Sequence, residues 1–136
     1  MMAVFADTYF FIAVLNPRDG AHGSASIYIE PDLEQPLLTT TWVLAEVGDA
    51  MATTGANRAA FADLYRLLDS LPVVEIVSGD QWLARGLHLY EHRPDKVWSL
   101  TDCISFVVMT NRGLTEALTG DHHFEQAGFR ALLRQG

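Results

Sequence analysis

Four acids stand out by position: Asp7, Glu46, Asp102 and Asp121. Asp7 directly follows the apolar run Ala3-Val4-Phe5-Ala6, and Asp121 follows residues 114–119 after one glycine. Glu46 falls about one turn into a predicted helix, and Asp102 in the first turn of another. In open parallel sheets, strand ends and the starts of the following helices share one rim, where ligands bind. The four acids are therefore expected to converge on one face. Carboxylates held together repel one another unless a counter-charge intervenes. A divalent ion supplies that charge, and Mg²⁺ prefers hard oxygen ligands while keeping places for water and phosphate. Two such ions can activate a water and stabilise the leaving oxygen in phosphodiester hydrolysis. Each acid taken singly also has a plain explanation as a helix cap favoured by the dipole. Glu46 fits that explanation least, because Leu44, Ala45 and Val47 suggest a mostly buried setting.

The elements that must position these acids alternate between strand and helix. Residues 3–6 read as a short strand and residues 8–15 as a buried helix stopped by Asn16-Pro17. His22, Ala25, Ile27, Ile29 and Leu33 form a weak helical stripe that Pro31 interrupts. Leu37-Leu38-Thr39-Thr40 reads as a second strand, with Thr41 capping a helix to about Thr53. Asn57 is the expected cap of a helix carrying Phe61, Leu64, Tyr65 and Leu68, which Pro72 breaks. Residues 73–77 have the β-branched density of a buried strand. Ser78 and Asp80 open a helix through Leu83, Leu87 and Tyr90. A loop over 91–98 leads to the helix of Asp102, for which Gly113 is a suitable C-cap. Residues 114–119 form the last clear strand, and 129–133 a further edge strand. Such alternation implies βαβ units around a parallel sheet, hence an α/β fold.

The 136 residues suit a single domain, 1–136, with one buried core. Hydrophobic residues at 49% and charged residues at 19% give a globular balance. No apolar run approaches the roughly 20 residues of a membrane span. The opening residues lack the pattern of a secretory signal, so a cytoplasmic location without membrane contact is expected. The single cysteine, Cys103, excludes an intrachain disulfide and reads as a core filler. A net charge of −8 argues against broad attraction to nucleic acid, but carboxylates gathered for metal binding enter that sum before the metal arrives.

The motifs around the acids resemble the PIN domain, in particular VapC-like toxins of bacterial toxin–antitoxin pairs. The pieces are Val4-Phe5-Ala6-Asp7-Thr8, Thr39-Thr40-Thr41-Trp42-Val43-Leu44-Ala45-Glu46-Val47, Trp98-Ser99-Leu100-Thr101-Asp102-Cys103 and Ala117-Leu118-Thr119-Gly120-Asp121-His122-His123-Phe124. They cover nearly the whole chain in the order Asp, Glu, Asp, Asp. The resemblance implies a PIN-like α/β/α sandwich with a central, mostly parallel twisted sheet and an acidic pocket for Mg²⁺ or Mn²⁺. It implies that Asp7 and Asp102 are the principal metal ligands, and that Glu46 is a ligand or orients the attacking water. Asp121 then acts directly or through a water. Thr8 matches the small hydroxyl beside the first acid, while Ser99, Thr101 and Thr119 would hydrogen-bond waters or phosphate, or support the acids. Tyr9 is bulkier than the residue often found there, and Gly120 lacks a side chain that other members place next to the last acid. The implied reaction is RNA hydrolysis by a metal-activated water. The implied partners are a structured RNA such as tRNA, an antitoxin protein, and a second copy of the chain in a homodimer.

Other residues carry weaker signals. Asp95 and Asp49 read as solvated acids near the motifs, and Arg85, Arg93, Lys96 and Arg112 as basic residues near the rim by sequence. Adjacent histidines on an extended or turn segment point apart, so His122 and His123 make a poor chelating pair, with His122 the better candidate to touch substrate or a neighbouring acid. The alternatives are a non-cleaving PIN-fold module that binds RNA or protein, a phosphatase with Asp7 as nucleophile, and a nuclease acting on DNA. Phosphatase chemistry usually wants a second acid two residues on, where this chain has Tyr9.

Overall fold

The structure, a computed structural model, describes residues 1–30, 32 and 34–134. Its sheet has five strands, all parallel: β1 (Val4–Ala6), β2 (Leu37–Thr40), β3 (Val74–Val77), β4 (Glu116–Leu118) and β5 (Arg130–Ala131). The spatial order is β3-β2-β1-β4-β5. Phe5 stands between Leu38 and Ala117 in register, so β1 is central and all three of its residues are buried. From β1 the chain moves outward through β2 to β3, then returns to the other side of β1 with β4. That reversal opens a crevice at the carboxyl ends of β1 and β4. Right-handed crossovers place the helices before and after the reversal on opposite faces of the sheet.

Before the reversal come α1 (Thr8–Leu15), α2 (His22–Ser26), a 3₁₀ turn (Ile27–Ile29), α3 (Thr41–Ala50) and α4 (Gly55–Ser70). After it come α5 (Asp80–His92), α6 (Leu100–Arg112) and α7 (His122–Gln126). The core between these layers holds Phe5, Phe10, Phe11, Ile104, Met109, Leu118 and Phe124. Phe106 meets both Trp98 and Phe124 edge-on, at centroid separations of 5.0 and 4.9 Å. This packing ties the starts of α6 and α7 together. The helices α5 and α6 pack tightly at Gly86, where a Cβ would fall 2.3 Å from Ile104 Cγ1.

Local boundaries depart from expectation in physical detail. Thr41 is the first residue of α3, and Thr40 caps it by accepting the Val43 N–H at 3.1 Å. Likewise Thr54 caps α4, accepting the N–H of Asn57, which is itself helical. The stripe over 20–35 resolves into α2 and the 3₁₀ turn; Pro31 and Leu33 lie outside the described residues. The last two strands are shorter than predicted, and α7 occupies a stretch read as extended or turn.

Candidate active site

Asp7 directly follows β1 and is the N-cap residue of α1, yet its side chain makes no capping bond. Its carboxylate instead accepts the Thr119 hydroxyl at 3.0 Å, and only 4% of the residue is exposed. The same Thr119 oxygen accepts the Asp121 N–H at 3.0 Å. A single buried hydroxyl at the end of β4 thus connects the first and last acids across the β1–β4 crevice. Thr119 is fully buried and engaged in these two bonds, so it brackets the two acids, one of the roles expected for it.

Asp102 reaches the same region from α6. Ser99 accepts the Asp102 N–H at 3.0 Å, and Asp102 Oδ2 accepts the Ser99 N–H at 3.2 Å, completing a capping box. The Ser99 hydroxyl is therefore also a structural fastening. Thr101 follows in the same turn, half-buried, with its carbonyl accepting from Ser105. Asp121 caps α7 by accepting the His123 N–H at 2.9 Å. Glu46 comes from α3 and accepts the Thr8 hydroxyl at 2.5 Å. It is exposed, contrary to the buried setting expected, because Ala45 and Glu46 lie on the open side of α3 while Val43, Leu44 and Val47 face the core.

The electrostatics follow from this arrangement. Burial pushes the Asp7 carboxyl up to about 7, and the charges of Asp102 and Glu46 add to the rise, against hydrogen bonds from the Thr8 backbone and Thr119. Asp102 is also raised, first by burial and then by Asp121, while the Ser99 N–H and His123 oppose the shift. The four acids thus come from four elements and two of them sense their neighbours as like charges. Cys103, next to Asp102, is buried in the core and its thiol is pushed up to about 11, which disposes of a reactive thiolate.

His123, not His122, is the histidine built into the cluster. Its Nδ1 lies 3.3 Å from Asp102 Oδ2 and 3.4 Å from Asp121 Oδ1, with the side chain 17% exposed. The His122 side chain is 56% exposed and stands 3.6 Å from Asp121 Oδ1. The two rings do not diverge, since both residues open α7; the ligating atoms of Asp121, His122 and His123 lie within 4.8 Å of one another. An aspartate acting as N-cap directs the N–H two residues on toward itself. Reading Asp121 as the cap of a short helix would therefore have singled out His123.

Asp95 is held by Arg93 at 3.0 Å through both carboxylate oxygens, and Asp49 is exposed beyond Glu46 on α3; neither joins the cluster. Arg112 binds Glu75 at 2.6 and 2.8 Å. A cavity of about 530 Å³ lies elsewhere, lined by Arg85, Leu89, Arg93, Trp98, Phe106 and others, and contains none of the four acids.

Comparison with known proteins gives an independent line. The sequence profile of the family described as PIN domain matches residues 4–130. The chain is 30% identical over 132 residues to the 23S rRNA-specific endonuclease VapC20 of Mycobacterium tuberculosis, in each of two strains. The alignment covers 93% of this chain and 95% of that protein. The crystal structure of Mycobacterium tuberculosis VapC20, described as a Sarcin-Ricin loop cleaving toxin, superposes with a TM-score of 0.77 at 25% identity. That superposition covers 93% of this chain and 96% of the other, and the α/β/α architecture is shared.

Proposed function

The chain belongs to the PIN domain family and is VapC-like; on that premise we propose that it is a metal-dependent endoribonuclease, the toxin of a type II toxin–antitoxin pair. The observation that carries the reading is the state of Asp7. A carboxyl 4% exposed, raised to about 7 and facing two other acids is poorly placed as a lone structural group. A hard divalent cation, Mg²⁺ or Mn²⁺, meets its need for a counter-charge, and an all-oxygen donor set suits such an ion. In this reading Asp7 and Asp102 hold the ion, with Asp121 as a direct or water-bridged ligand. The ion supplies activation of a bound water and neutralisation of charge on the phosphate.

The protein's own groups divide the remaining work. Thr119 holds one Asp7 oxygen through its hydroxyl, which leaves the other for the ion. His123 sits between Asp102 and Asp121 and positions both carboxylates. Glu46, exposed at the rim and held by Thr8, orients the attacking water and takes its proton. Water adds its oxygen to phosphorus, one P–O ester bond breaks, and the leaving oxygen is protonated. The expected substrate is a structured RNA, ribosomal or transfer, since the relative's name specifies a ribosomal target. A protein antitoxin and a homodimer complete the proposal, on the family likeness alone.

The test uses an end-labelled RNA pool containing tRNA and rRNA, with Mg²⁺ or Mn²⁺, beside Asp7→Asn. Cleavage by the wild type that disappears in the variant supports the nuclease. Equal inertness of both proteins with either metal puts the non-cleaving binding module in its place.

A further inference from the structure

Tyr9 and Gly120, the two departures from the family pattern, are found against each other. A Cβ built on Gly120 would lie 2.4 Å from Tyr9 Cζ and 2.7 Å from its phenolic oxygen. The phenol end of Tyr9 therefore fills the space that a side chain at position 120 would take. This places an aromatic ring between the start of α1, two residues past Asp7, and the short link from Thr119 to Asp121. Phe10 and Phe11, its neighbours on α1, are sealed in the core, yet Tyr9 is 37% exposed. A large, partly open ring thus stands between the segments that carry Asp7 and Asp121.

A ring in that position meets a need that the charge of the molecule creates. A net charge of −8 repels a polyanion, and the Arg93 and Lys96 side chains closest in sequence to the α6 motif are engaged with Asp95. Contact that does not depend on charge then adds substrate affinity where the surrounding charge opposes it. Stacking of a nucleobase on an aromatic face contributes to affinity and tolerates any base. A phosphodiester at the metal site necessarily carries a nucleoside on each side.

We propose that Tyr9 is a substrate-contacting residue whose ring stacks on the base of a nucleotide flanking the cleaved phosphate, in space that Gly120 leaves open. The inference rests on the ribonuclease reading above. It makes Gly120 a permissive partner: adding a methyl at 120 displaces the ring, and does so only while a ring is present.

The test compares wild type, Tyr9→Phe, Tyr9→Leu and Gly120→Ala on an RNA oligonucleotide that the wild type cuts, and on copies abasic at either flanking nucleotide. For wild type and Tyr9→Phe, KM is expected to rise about tenfold on one abasic copy, with kcat little changed. Tyr9→Leu, which keeps apolar bulk, is expected to show the raised KM on intact RNA and no further loss on that copy. Gly120→Ala is expected to raise KM in the wild type and to be neutral in Tyr9→Leu. Thermal melting and circular dichroism establish that each variant is folded; a folded Tyr9→Leu that retains wild-type KM, or discriminates the abasic copy as the wild type does, overturns the assignment alone. A wild type that cuts no RNA removes the assignment together with its premise.

Discussion

Asp7 carries opposite consequences for the metal-free and metal-bound protein. Its folded carboxyl titrates near 7 against an ordinary 3.8, so between those values the folded state holds a proton that the unfolded chain has released. Its contribution to stability is therefore full below about pH 4 and is lost as pH rises through 7. We expect the melting temperature of metal-free wild type to fall relative to Asp7→Asn by several degrees between pH 5 and pH 8. Saturating Mg²⁺ should reverse that gap at pH 8, and a gap independent of pH would show that Asp7 is already ionised in the fold. His123 gives a second prediction at this scale. A group that orients metal-binding carboxylates typically costs 10–100-fold in affinity or activity when removed. His123→Ala should weaken Mn²⁺ binding by about that factor, whereas the more exposed His122→Ala should stay within about twofold. Calorimetric titration of both variants checks the contrast. Residue identity made Asp7, Glu46, Asp102 and Asp121 visible as candidates, because each stands beside an apolar run. It did not reveal His123, whose place depends on a cap that only a helix creates, nor the Thr119 bracket, which requires β4 to lie against β1.

The elements carry the acids through their ends, so caps matter more here than helix interiors. Ser99 and Asp102 hold the start of α6, and Asp121 holds the start of α7. The periodicity of apolar residues located most helices and strands, as with Phe61, Leu64 and Leu68 on α4. It left their ends uncertain by a few residues, because several polar residues precede each apolar stripe and any of them can serve as cap. Thr54 and Asn57 separate the two readings for α4. Thr54→Ala is expected to cost about 1 kcal/mol in denaturant unfolding, and Asn57→Ala, inside the helix, close to nothing. The reverse ranking would return the cap to Asn57. The short α7 was missed for a related reason: five residues are too few to display a period.

Across the whole molecule, the sheet order is what brings the site together. Strand–helix alternation was enough to indicate a parallel α/β sheet. It could not say that β4 returns beside β1, since strand order is a matter of long-range pairing and not of local composition. That return joins residues 112 positions apart, Asp7 and Thr119. No described helix is long and apolar enough to cross a membrane. The net charge of −8 also takes on meaning at this scale, because part of it is gathered at one crevice, where the proposed cation would offset it. The central claim is that this crevice cuts RNA only when it holds a divalent ion. The direct measurement is cleavage of end-labelled RNA by protein stripped with a chelator, then returned to Mg²⁺ or Mn²⁺. The account predicts no cleavage after stripping, recovery with added metal, and no recovery in Asp102→Asn at metal concentrations that saturate the wild type. Undiminished cleavage by the stripped protein, or by Asp102→Asn, would contradict it.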